Sequence, residues 1–191
     1  MRHLLALMAI TFLGCKPTLP DIVLERFEES AREQLKLAQS KLLDEESDEQ
    51  RLYWLGRAAK DSFFIGKTDE AQQYADELFI LAPQFTESSY YGVAVQDANV
   101  VRGRLALLQG HTEEAKECLI NSLQCPAFTM LTFGPNMSLA KDLLENGETD
   151  VVLDYFELCR KFWKMENGRL DKWSREVRAG RIPDFGGNLV Y

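Results

Sequence analysis

The sequence predicts an all-α protein: a short helical-hairpin solenoid of about three repeated units, with a helix capping each end. Three observations carry that prediction. Apolar residues recur at helical spacing through almost everything after Leu19. No run of alternating β-branched residues marks a strand. The stretches "IGKTDEAQQYA" (65–75), "QGHTEEAKECL" (109–119) and "NGETDVVLDYF" (146–156) write one local pattern, Gly-x-Thr-acid, three times.

The first capping helix is "PDIVLERFEESAREQLKLAQSKLL", which starts at Pro20 and Asp21. It places Ile22, Val23, Leu24, Phe27, Ala31, Leu35, Leu37 and Leu42 on a broad stripe. The acidic run "DEESDEQ" (44–50) is a solvated break. Paired helical runs follow at about 49–64 with 68–81, about 88–108 with 112–124, and about 136–145 with 149–165. Each Gly-x-Thr-acid stretch falls at the junction inside a pair. Gly66, Gly110 and Gly147 fit the residue after a helix end, where a left-handed conformation is needed. Thr68, Thr112 and Thr149 fit N-caps of the next helix, with Asp69, Glu113 and Asp150 at its positive end. The loop "CPAFTMLTFGPN" (125–136) is apolar enough to lie against the helices it joins. A last run at about 169–179 caps the other end, and "RIPDFGGNLVY" reads as an ordered tail laid along a groove.

The first fifteen residues are of another kind. "MRH" is a short basic start, "LLALMAITFLG" is an apolar run of eleven, and Cys15 follows at once. Eleven residues cover about half of the roughly 20 that a membrane-crossing helix needs, so the run reads as a signal-peptide core. Gly14-Cys15 resembles the bacterial lipobox, in which the Cys becomes the lipidated first residue. Lys16 after it resembles outer-membrane sorting. The chain then divides into a signal peptide (1–14), a lipidated linker (15–19), the helical domain (20–183) and a tail (184–191). Its expected place is the cell envelope, periplasm-facing, as an outer-membrane lipoprotein. If residues 1–15 are retained instead, the same chain is a soluble adaptor.

The net charge of −8 with a pI near 4.9 argues against nucleic acid as the main partner, since phosphate binding wants a basic face. Nothing points to catalysis. His111 is the sole histidine outside the signal, it lies at a turn, and no neighbouring Ser or Cys makes it the base of a nucleophile. No Gly-rich phosphate loop, HExxH or CxxC is present, so neither metal nor cofactor is expected. Cys118, Cys125 and Cys159 fit no metal spacing. A Cys118–Cys159 or Cys125–Cys159 bridge is open, and buried thiols are favoured.

Counted from the turn glycines, small residues lie seven before (Ala59, Gly103, Ala140). Ala71, Ala115 and Val152 lie five after, and Pro83 and Pro126 follow the first two units. In this the chain resembles the tetratricopeptide repeat over roughly residues 50–165. The resemblance implies an adaptor that binds proteins or peptides. It also implies a groove lined by the first helix of each pair, at the positions held by Lys60, Arg104 and Lys141. Further groove positions would be Phe63 and Phe64, Leu107 and Leu108, then Leu144 and Glu145. A row of cations with apolar neighbours could grip an extended peptide. Alternatively, the cations complement helix dipoles and the Leu and Phe residues simply pack.

Between Arg160 and Arg181, eight basic residues face three acidic ones, with Trp163 and Trp173 interleaved. Either this stretch meets a membrane or an acidic partner, or its Trp residues cap the last repeat and its cations pair with the chain's carboxylates. The expected function is a lipid-anchored adaptor for envelope proteins or peptides. The alternative is a binder of small ligands or peptidoglycan fragments, or a subunit of a cell-wall enzyme, with a pocket near Phe133 and Trp163.

Overall fold

The computed structural model describes residues 19–44 and 47–189. The expectations for residues 1–18, Cys15 and its lipid among them, and for residues 190–191 lie outside the described residues. Nine α-helices and no strand are found among those residues. They are α1 (Leu19–Leu43), α2 (Asp48–Phe64), α3 (Thr68–Leu81), α4 (Tyr91–Leu108), α5 (Thr112–Asn121), α6 (Phe128–Thr132), α7 (Ser138–Glu145), α8 (Thr149–Arg160) and α9 (Arg169–Arg178). The fold is an all-α array of helical hairpins. In it α2 packs on α3 and α4, α4 on α5 and α7, and α7 on α8, while α1 and α9 cover the two ends.

The three repeated turns share one hydrogen-bond pattern. Gly66, Gly110 and Gly147 have φ of 77°, 80° and 85°. In the first turn the Gly66 N–H donates to Phe63 O at 3.1 Å and the Lys67 N–H to Ser62 O at 2.8 Å. The others match: Gly110 to Leu107 and His111 to Ala106, then Gly147 to Leu144 and Glu148 to Leu143. This is the Schellman closure, which satisfies helix-end carbonyls only if one residue is left-handed. The threonines do not act as expected. Thr68, Thr112 and Thr149 are the first helical residues, and no side chain caps α3, α5 or α8. The turn is so short that Lys67, His111 and Glu148 occupy the N-cap position instead.

Packing differs between the two halves. Ala59, Ala71, Ala75, Ala94 and Ala98 let α2, α3 and α4 approach closely, and Ala58 meets Leu35 and Ala38 of α1. In α4, Gly103 has no room for a methyl: a Cβ there would sit 2.4 Å from Leu139 Cδ2 of α7. The C-terminal half is built on large rings instead. Trp173 packs at 4.9 Å from Phe185 and 5.8 Å from Trp163, with Phe156 beside it. Both indoles are buried, and their N–H groups donate to Thr132 O and Asp184 O. Trp163 therefore leaves α8 early, which ends at Arg160 rather than near 165, and it lies directly beneath Gly134.

Two expectations about loops are refined. The 125–136 loop carries a short helix, α6, whose Met130 is buried. The tail runs along that loop: Asn188 Nδ2 donates to Phe133 O and Pro135 O, and the Met137 N–H donates to Asn188 O. Cys118, Cys125 and Cys159 are free thiols, so neither open bridge forms. The stripe on α1 is only partly used. Ala31, Leu35 and Ala38 are buried against α2, whereas Leu24, Phe27 and Leu37 stay exposed.

Candidate functional site

A groove lies between α1, α2 and α4. Its volume is about 350 Å³. Phe27 of α1 and Phe63 and Phe64 of α2 supply rings, with Phe27 53% and Phe64 48% exposed. Arg57, Lys60 and Asp61 of α2 and Arg104 of α4 supply charge. Asn136, Ser138 and Leu189 close the far end, so the tail reaches its lip.

The charges are engaged within the protein. Lys60 Nζ lies 2.7 Å from Asp97 Oδ2 of α4, with side chains 19% and 6% exposed. Arg104 Nε donates to Asp142 Oδ2 of α7 at 2.6 Å, and its guanidinium carbon stands 4.3 Å over the Phe63 ring. Burial pushes the Asp97 carboxyl above the usual carboxylate range, against the pull of Lys60. Asp61 is pushed the same way by burial, opposed by Arg57 and Lys60. Its Oδ2 is 3.1 Å from Arg57 Nη2 yet makes no aligned hydrogen bond, so it is a carboxylate oxygen held by charge alone. Gly56 makes the close approach possible, because a Cβ there would sit 2.7 Å from Asp97 Oδ2.

Of the residues expected to line a groove, Lys60, Phe63, Phe64 and Arg104 are brought together here. The others are not. Leu107 and Leu144 pack on the central core cluster, because the helix faces that carry them turn toward α5 and α8. Lys141 pairs with Glu145 one turn on in α7, at 2.6 Å, and does not line the groove. Leu108 is 67% exposed, outside the groove. Arg57, Asp61, Asp97 and Phe27 were missed. Asp97 had a signal: it is the one acid in the apolar stretch "VAVQDANVV", where a carboxylate must be buried and paired.

A second cleft, about 890 Å³ in volume, lies between α6, the start of α9 and the tail. It is lined by Phe128, Phe133, Met165, Arg169 and Lys172 with Trp173 and Phe185 at its base, and it is open to solvent. Trp163 does not line it, contrary to expectation, since that ring is 1% exposed under Gly134. Among the described residues no cluster of His, Cys, Asp and Glu could hold a metal ion, and no helix is long and apolar enough to cross a membrane. Comparison with protein families, with curated proteins and with solved structures gives no match.

Proposed function

We propose that the protein is an adaptor whose groove between α1, α2 and α4 takes an apolar segment of a partner protein. The observation that carries this reading is the pair of half-exposed rings, Phe27 and Phe64, lining one groove whose charged residues are already paired within the protein. Such a groove gains affinity from apolar side chains laid between rings, and the polar floor fixes register. The resemblance to the tetratricopeptide repeat supports the same class of role. The apolar run before Cys15 supports a lipid-anchored adaptor in the cell envelope, facing the periplasm from the outer membrane. The alternative, a binder of small ligands or cell-wall fragments, calls for an enclosed cavity, and both described clefts are open.

The test is site-specific photo-crosslinking in living cells, with a benzophenone amino acid at position 27 or 64 and, as control, at the exposed Phe79 on α3. The reading requires one partner crosslinked from both groove positions and lost on Phe64→Asp at the other site. Crosslinks of equal yield from position 79, or none from the groove, would sink it.

A further inference from the structure

We infer that the outward face of α9, together with the exposed side of α6, docks on an anionic phospholipid surface. The inference stands apart from the groove and from the fate of Cys15. It begins with a charge imbalance that the fold does not resolve. Of the eight basic residues between Arg160 and Arg181, only Arg160 has carboxylate partners among the described residues, Glu157 and Asp171. The others are exposed. In an acidic chain with carboxylates to spare, this is a set of cations left for something outside the molecule.

Their placement says what that is. Leu170, Trp173, Ser174 and Val177 bury one side of α9. At 100° per residue Arg169, Lys172, Arg175 and Arg178 then spread over the opposite half, along about 14 Å of helix. Beside this face stand three exposed apolar side chains, Phe128 (80%), Phe133 (67%) and Met165 (55%). A peptide in the adjacent cleft would meet Arg169 and Lys172 alone. A flat anionic surface meets all four cations at once and takes the protruding rings into its interface, where amphipathic contacts are favourable. The acids of α9 itself do not balance these cations: Asp171 is engaged by Arg160 and Glu176 is half-buried, which leaves the face net positive.

The experiment is hydrogen exchange on the full chain, followed at residues 126–135 and 164–181. It compares vesicles of phosphatidylcholine with vesicles containing phosphatidylglycerol as well. The local readout separates this contact from any vesicle binding by residues 1–15. Protection of both segments by the anionic vesicles alone, reversed by high salt, is the expected result. R169E/K172E/R175E/R178E changes only exposed side chains and should raise the lipid needed for half protection by on the order of a hundredfold or more. Phe128→Ser with Phe133→Ser should weaken binding while leaving its salt dependence. The inference is overturned by absent protection, by equal protection from phosphatidylcholine alone, or by an unaffected charge variant. Protection by soluble polyglutamate and not by vesicles also overturns it, and assigns the face to an acidic polypeptide.

Discussion

Lys60→Met separates a structural cation from a ligand-binding one. Lys60 is the partner of a carboxylate whose side chain is 6% exposed, and Lys60 itself is only 19% exposed. Removing one member of a buried pair strands the other, at a cost of about 3–5 kcal/mol. Lys60 keeps some contact with water, so the lower end applies, about 3 kcal/mol, or roughly 6–12 °C in Tm for a chain of this size. Asp97→Asn leaves a lysine that can turn to solvent and should cost about 1 kcal/mol, with the double variant close to it. The cycle then gives a coupling of about 3 kcal/mol. The pH dependence has a defined sign. Burial already raises the Asp97 pKa in the folded state, and loss of Lys60 raises it further. A carboxyl with a raised folded pKa contributes stability that is full below its unfolded pKa of about 3.9 and is lost as pH rises through the folded value. Lys60→Met should therefore recover, relative to wild type, as pH falls from neutral toward that of an ordinary carboxylate. Urea denaturation followed by tryptophan emission at neutral and mildly acidic pH measures both effects. A variant within about 0.5 kcal/mol of wild type, with no pH-dependent recovery, would refute the structural role.

Gly134→Ala combines a φ of +87° with a methyl 2.4 Å from the Trp163 ring. It should cost about 3 kcal/mol or more and shift the near-ultraviolet circular dichroism, and a melt within about 1 kcal/mol of wild type would contradict the tight seat of Trp163. Burial pushes the Cys118 thiol up to about 11, and Cys159 further still, so both stay protonated in mild alkali. Alkylation of the folded chain, read by peptide mass spectrometry, should spare both and reach the half-buried Cys125 first. For the envelope reading, an alkyne fatty acid should label the wild type, and label and membrane retention should vanish together in Cys15→Ser. An unlabelled, soluble wild type would remove the lipid anchor from the proposal.

Much of the fold was legible because its signals are local. A glycine that must be left-handed, followed by acids at a helix start, is written into five residues, and all three copies produce the same closure. The small residues seven before each glycine were legible for the same reason, and Gly103 meets α7 where that spacing puts it. What depends on distant partners was not. The early end of α8 follows from Trp163 turning beneath Gly134, twenty-nine residues away in sequence. Phe27 looked like core because its helical spacing is that of core. It is half exposed because it faces the end of α2 across an open groove rather than a packed helix.

The repeated cations show how periodicity can be read correctly and its meaning missed. Lys60 on α2 reaches Asp97 on α4, and Arg104 on α4 reaches Asp142 on α7. Each cation thus ties the first helix of one hairpin to the first helix of the next. Lys141 sits in the last hairpin, has no such successor, and falls back on Glu145 of its own helix. A row selected to hold a ligand has no reason to change behaviour at the last unit, whereas a row of joints must. The acceptors hid the pattern, since Asp97 lies thirteen residues before its turn glycine and Asp142 five before its own. Two of the three charges are therefore committed to holding hairpins together, and a carboxylate-bearing ligand would have to displace Asp97 or Asp142 to use them. Affinity in the groove then rests on Phe27 and Phe64, which makes an apolar segment, rather than an acidic one, the occupant it fits.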